Sequence, residues 1–307
     1  MTYDLIIIGS GPAGLTAAIY AMRAKLNTLV LEQNGVSGGQ VLTTYEVDNY
    51  PGLPGIGGYE LGTKMREHAD KMGAQFVDGT VTDIINNGKI KKIVTTEKEY
   101  EARAIIIATG ASHAKLNVQG EEELAGMGVS YCATCDGAFF KNRTTAVVGG
   151  GDVAVEDAIF LSRLCKKVYL IHRRDSLRAA EILQEQLKEI DNIEIIWNYV
   201  VTKIQGEDQV EGIICKNVQT EEMKALEVQG VFIAVGIHPN TEVFQPLLQT
   251  DKSGYIVADE TGVTNIHGIF ATGDARTKQL RQIVTAVSDG ANAVTSVQQY
   301  FMSSNKL

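Results

Sequence analysis

Short runs of apolar residues, each closed by glycine, mark the chain at intervals. "YDLIIIGSGPAGLTAAIYA" at the start has an unbroken apolar stretch, a glycine turn, and then apolar positions at helical spacing. "TTAVVGGGDVAVEDAIFL" repeats the plan some 140 residues later. Each copy is followed by a second short apolar run, "TLVLEQ" in the first and "KVYLIHRR" in the second. The pattern predicts two βαβ units. Further strands are predicted in "IIIATGA" (105–111), "VFIAVGIHPN" (231–240) and "GIFATGDA" (268–275). The fold class expected is α/β, with two Rossmann-like, three-layer domains.

The glycines give the units their chemistry. In the first, Gly9 permits a tight turn, Gly11 lets a pyrophosphate approach the backbone, and Gly14 lets the helix pack closely; Pro12 and Ala13 complete the turn. The helix that opens there aims unpaired N–H groups at a phosphate. Glu32 ends the second strand, where a carboxylate suits a ribose diol and repels a 2′-phosphate, so this turn is expected to take FAD or NAD. The second unit has Gly149, Gly151 and Ala154 around Asp152 and Val153. Its second strand ends in His172, Arg173 and Arg174, with Arg178 beyond. Gly9 and Glu32 are 23 residues apart, and Gly149 and Arg173 are 24. Guanidinium groups at that position favour a 2′-phosphate, hence NADPH. The competing readings are a turn that binds nothing and a solvated basic helix start.

A turn of each kind in one chain implies a flavoprotein oxidoreductase. Gly39 and Gln40 form a further glycine turn near the first site. Gly273 and Asp274 end a late strand, placing a carboxylate where a flavin ribityl hydroxyl could donate. Because the first unit opens the chain and Asp274 lies near its end, the FAD domain is expected to be discontinuous, 1–113 and 245–307. The NADPH domain, 114–244, is inserted into it.

Composition narrows the setting. The 307 residues allow two domains, and 44 % apolar with 21 % charged residues is a globular balance. A net charge of −9 argues against a nucleic-acid partner. No apolar run has membrane-spanning length, and no basic stretch with a cleavage site opens the chain. With only four cysteines, a disulfide-dense secreted scaffold is excluded. A soluble, cytoplasmic protein is expected.

Two of those cysteines, Cys132 and Cys135, form C-x-x-C in "YCATCDGAFF". A structural zinc site needs four ligands, and no second pair is present. A pair of inert core thiols and a redox pair beside a flavin remain, the latter favoured by the flanking turns. A C-x-x-C in the first turn of a helix has backbone N–H groups near one sulfur, which lowers its pKa. Asp136 follows directly and is positioned to supply a proton if burial raises its pKa, or else to cap a helix.

The motifs "GSGPAG", "GGQ", "EVDNYPG", "CATCDG", "GGGDVAVEDA", "HRRDSLRA" and "GDARTKQLRQ" together resemble the low-molecular-weight thioredoxin reductases of the pyridine nucleotide-disulfide oxidoreductase family, over almost the whole chain. The resemblance implies non-covalent FAD, NADPH, a homodimer, and thioredoxin as the disulfide substrate. It also implies Cys132–Cys135 as the redox disulfide and Asp136 as its acid. Gln40, Asn49, Asp274, Arg281, Gln282 and Ile283 would line the flavin. No cysteine precedes Cys132, which rules against glutathione- or lipoamide-reductase types. Val153 departs from the pattern by replacing a Ser or Thr hydroxyl that bonds phosphate. Alternatives are ferredoxin as electron donor and another thioredoxin-like disulfide protein as acceptor. Sequence order places the cysteines and the NADPH turn in one domain. Alternation is therefore expected, with rotation of that domain between half-reactions.

Overall fold

Residues 5–8 carry no polar side chain because both faces of their strand are covered. The computed structural model describes residues 2–44 and 46–304. The chain divides into two compact units, one of Met1–Thr44, Tyr50–Ser112 and His238–Leu307, the other of Tyr45–Asn49 and His113–Ile237.

In the first unit β1 (Thr2–Ile8) lies between β2 (Thr28–Glu32) and β6 (Glu99–Ile107), parallel to both. β3 (Gln75–Asp78) extends the sheet beyond β2, reached through α1 (Pro12–Arg23) and α2 (Gly58–Lys71). The other edge of β6 is shared. The antiparallel pair β4 (Val81–Asn87) and β5 (Ile90–Thr95) joins its first half, and β17 (Ile269–Ala271) its last three residues. Leu5 and Ile7 pack with α1 and with α6 (Ile283–Ser304); Ile6 and Ile8 pack on the opposite face with Phe244, Leu248 and Ile256.

The second unit repeats the plan. β9 (Thr144–Gly149) lies between β10 (Lys167–His172) and β15 (Gly230–Ala234), with β11 (Ile193–Trp197) and β8 (Val129–Ser130) outside them, all parallel. Around this sheet run α3 (Ala133–Asp136), α4 (Asp152–Ser162) and α5 (Glu181–Lys188). The antiparallel strands β12 (Tyr199–Gln205), β13 (Gly212–Asn217) and β14 (Met223–Glu227) form a separate sheet. The strand order reverses beside β1 and beside β9, so each sheet opens a crevice at the carboxyl end of its central strand, where α/β folds take ligands.

The two crossings between the units, β7 (Ala111–His113) and β16 (Ile237–Pro239), pair with each other. The second crossing falls at 237/238, earlier than the sequence boundary of 244/245. Residues 240 and 241 are tied into the first unit by long-range bonds. Thr109 Oγ1 donates to Asn240 O at 2.6 Å, Asn240 Nδ2 donates to Thr109 O at 3.0 Å, and Thr241 Oγ1 donates to Gly254 O at 2.6 Å.

Helix α6 reaches α1 closely because position 290 is glycine. A Cβ there would overlap Ala13 O and approach Ala17 N, both backbone atoms that cannot swing aside. Gly290→Ala therefore sets two effects against each other. Helix propensity favours alanine by about 1 kcal/mol, whereas overpacking against fixed backbone costs roughly 1–3 kcal/mol. A lower denaturant midpoint is expected for Gly290→Ala; a higher one would mean that α1 and α6 have room to separate.

Candidate functional site

In the first unit the turn after β1 is shaped by what it touches. Gly9 has φ +99°, and a Cβ there would strike Ala108 O. A Cβ on Gly14 would strike Gly9 O, so the helix rests on the turn itself. Gly11 precedes Pro12 at the start of α1 with extended backbone. Its added Cβ would find only Gly39 Cα, at 4.0 Å, and one on Gly39 (φ +61°) would lie 3.3 Å from Gly11 Cα. Two glycines from distant segments thus face each other over a backbone cradle that side chains would fill. Gly273 joins them: its φ is +67°, and a Cβ there would lie 2.9 Å from Ala13 Cβ.

Polar groups converge on this cradle. Glu32 is buried and accepts from Ser10 N at 2.8 Å, Ser10 Oγ at 2.7 Å and Asn34 N at 3.0 Å, which fixes its carboxylate and leaves lone pairs for a further donor. Ser10 Oγ also bonds Ser37 Oγ, which accepts from Arg66 Nη1 at 2.9 Å. Asp274 Oδ1 is buried with no hydrogen-bond partner, and so is Arg281 Nε, whose guanidinium lies 3.9 Å over the Tyr255 ring. Burial pushes the Asp274 carboxyl above its ordinary range, while Lys278 and Arg281 pull it back. Gln40 Nε2 donates to Ala111 O, and Gln282 N donates to Thr285 Oγ1 at 3.1 Å just before α6 opens at Ile283. Unpartnered buried polar atoms around a glycine cradle suit the pyrophosphate and polyol of a dinucleotide such as FAD. Asn49 is grouped with the second unit.

In the second unit Gly149 repeats the role of Gly9: a Cβ there would strike Ala234 O and crowd the buried Ala154. A Cβ on Gly151 would meet nothing within 4 Å, so the approach to its backbone is open. Residues 173–180 wrap this turn. Arg178 N donates to Gly150 O at 2.7 Å, and Ala180 N donates to Asp152 Oδ1 at 2.7 Å. Arg173, Arg174 and Arg178 are exposed, and none forms an ion pair among the described residues. Val153 is 53 % exposed at the helix start and offers no hydrogen bond. His172 lies beneath the turn rather than on the exposed loop. It is buried under the turn, packed on Gly150, with Nε2 3.0 Å from Ser176 O, and burial lowers its pKa. It serves as the floor of the turn.

The cysteines lie at the start of α3, also in the second unit. Cys132 and Cys135 are joined as a disulfide, with Cα atoms 5.3 Å apart. Cys165 and Cys215 are free and buried. Cys135 N and Asp136 N both donate to Cys132 O, at 3.2 and 3.1 Å. Ser130 Oγ accepts from Cys132 N at 3.1 Å and donates to Asp136 Oδ2 at 2.6 Å, tying the acid to the pair. Asp136 Oδ1 is buried and unpartnered. Ahead of the pair, the buried Glu121 accepts from Leu116 N, Asn117 N and Tyr131 Oη, and the Tyr131 ring stacks on His113 at 5.2 Å. Sequence reading passed over Ser130 and Glu121; within "GEEE" nothing distinguishes a buried acid from its solvated neighbours. It also passed over Asp157 in α4, whose pKa burial and then Glu156 push up to about 7.

Burial holds the Asp136 carboxyl above its ordinary range, against the Ser130 hydrogen bond. The folded protein therefore binds that proton more tightly than the unfolded chain, and ionising Asp136 costs stability. The cost is absent below the unfolded pKa, sets in as pH rises, and is complete above the folded pKa. Asp136→Asn is expected to raise the melting temperature of the oxidised protein at neutral pH, with the gain shrinking toward pH 4. A gain independent of pH would contradict the assignment of a carboxyl held protonated by burial.

The family model described as pyridine nucleotide-disulphide oxidoreductase matches residues 3–290. The chain is 50 % identical over 299 residues to the thioredoxin reductase of Listeria innocua, covering 97 % of this chain and 93 % of that protein. It is 48 % identical over 299 residues to that of Bacillus subtilis, covering 97 % and 94 %. The crystal structure of thioredoxin reductase from Streptococcus pyogenes superposes with a TM-score of 0.95 at 48 % identity, covering 98 % of this chain and 99 % of that one. With the family model spanning most of its length and relatives this similar, the chain belongs to the pyridine nucleotide-disulphide oxidoreductase family.

Proposed function

We propose that this oxidoreductase carries electrons from NADPH through FAD and the Cys132–Cys135 disulfide to oxidised thioredoxin. The observation that carries the reading is the redox pair itself. A disulfide tied to a largely buried acid shares one compact unit with an arginine-flanked glycine turn whose backbone is open, and Cys135 is only 14 residues before Gly149. The relatives named thioredoxin reductase support the choice of acceptor. Homodimeric assembly and a cytoplasmic location belong to the same proposal; among the described residues, no helix is long and apolar enough to cross a membrane.

The residues divide the work. The first unit, with the cradle of Gly9, Gly11, Gly14 and Gly39, is the FAD domain; Glu32 accepts from ribose hydroxyls and Asp274 from the polyol. The second, with Gly149, Gly151 and Ala154, is the NADPH domain; Arg173, Arg174 and Arg178 hold the 2′-phosphate. FAD, when bound, supplies two-electron transfer between nucleotide and disulfide. Of the resulting thiols, one attacks the substrate disulfide as thiolate and forms a mixed disulfide, expelling a substrate thiolate. The other then attacks the enzyme sulfur of that bond, which restores Cys132–Cys135 and releases the second substrate thiol. Asp136 holds the proton that one of the cysteines gains on reduction and loses on reoxidation. The nucleotide turn and the disulfide ride on one unit, and each needs the flavin. They are therefore presented in alternation by rotation about the paired crossings β7 and β16.

Arginine selectivity is the sharpest test. A charge-assisted hydrogen bond contributes about 1.5–3 kcal/mol, or roughly tenfold to a hundredfold in binding. The double variant Arg173→Ala/Arg174→Ala is expected to raise the KM for NADPH at least tenfold in thioredoxin-coupled turnover and to leave the KM for NADH unchanged. Equal losses with both nucleotides would assign these arginines to structure, and wild-type turnover with reduced ferredoxin but not NADPH would replace the donor.

A further inference from the structure

Behind the Gly273–Asp274 loop lies a group of buried charges that the proposed function does not use. Asp289, in α6, accepts from Gly273 N at 3.0 Å, from Arg276 Nε at 2.9 Å and Nη2 at 2.6 Å, and from Lys278 Nζ at 3.0 Å. Arg276 Nη1 donates onward to Thr277 O at 2.8 Å. The side chains of Arg276 and Asp289 are 7 % exposed, and that of Lys278 is 6 %. Lys278 Nζ also lies 4.0 Å from Asp274 Oδ1, the buried oxygen without a hydrogen-bond partner.

One carboxylate with two cations leaves a positive charge unbalanced. The buried group reaches neutrality only when Asp274 is ionised too. Burial of unpaired charge is costly, so the lysine favours the charged form of the second carboxylate. We propose that Lys278 and Asp289 are positioning residues of the cofactor site. Asp289 fixes the Gly273 backbone at its left-handed turn. Lys278 keeps Asp274 a carboxylate, so that its free oxygen accepts a charge-assisted hydrogen bond from a polyol hydroxyl of FAD. The inference rests on the reading of Asp274 as a flavin contact.

The groups facing Asp274 act in both directions. Lys278, Arg281 and Arg276 favour its ionised form, whereas burial and Asp289 oppose it. Tyr255 lies in the same field, held in its neutral form chiefly by burial. Taking away Lys278 removes the strongest of the favourable charges. Asp274 then stays protonated to higher pH, and its bond to a hydroxyl falls from charge-assisted to neutral strength.

The test is FAD binding to apoprotein, read by quenching of flavin fluorescence across pH. Lys278→Met conserves the side-chain volume and leaves the Arg276–Asp289 pair in place. It is expected to weaken FAD binding about tenfold at neutral pH. The loss should diminish as pH rises, and Lys278→Arg should restore wild-type binding. Asp274→Asn is expected to weaken binding by a similar factor with no such pH dependence. Asp289→Asn keeps an acceptor for Gly273 N while stranding two cations, and is expected to lower both FAD affinity and apoprotein melting temperature. If Lys278→Met fails to fold, Lys278→Gln carries the same measurement. Wild-type affinity and pH dependence in the Lys278 variant, with Asp274→Asn impaired, would overturn the positioning role. Wild-type affinity in Asp274→Asn would instead overturn the reading of Asp274.

Discussion

Both halves of this molecule depend on one close approach between backbone segments. Where β1 ends, Gly9 lies against the carbonyl of Ala108; where β9 ends, Gly149 lies against the carbonyl of Ala234. No side chain fits at either place. The approach turns the chain sharply out of the central strand and starts a helix at the crevice where the strand order reverses. The central parallel strands are apolar on both faces because both faces are covered. The glycine faces at Gly11 and Gly151 lie open only because that turn is fixed.

What differs between the halves is the charge beside the turn. In the first unit a buried carboxylate, Glu32, is locked by Ser10 and Asn34. In the second, the corresponding strand end passes into an exposed loop with three arginines, stapled to the turn through Gly150 and Asp152. One scaffold thus carries a fixed carboxylate beside one turn and exposed guanidinium groups beside the other. The disulfide is held in the second unit by equally local means: Ser130 bridges Cys132 and Asp136.

The sequence made the two turns legible because their constraint is steric, and only glycine satisfies it at positions 9 and 149. The same holds for the strands, whose apolar runs report burial on both faces. Other features depend on partners far away along the chain. The unit boundary at 237/238 follows from bonds between Asn240 and Thr109, which no local pattern announces. His172 is the buried floor of the turn, a distinction that needs the imidazole's position on Gly150. Lys278 and Asp289 look like surface charges in "RTKQL" and "SDGAN"; only the packing of α6 shows them buried and paired.

Electron flow through Cys132 and Cys135 is the central claim, and thiol mapping after anaerobic reduction tests it most directly. Protein loaded with FAD is reduced by NADPH, alkylated under native conditions, and its modified cysteines are identified by mass spectrometry. The account predicts that Cys132 and Cys135 become alkylated, that the buried Cys165 and Cys215 do not, and that oxidised thioredoxin added before the alkylating agent abolishes the labelling. Flavin bleaching by NADPH with Cys132–Cys135 still oxidised would contradict it.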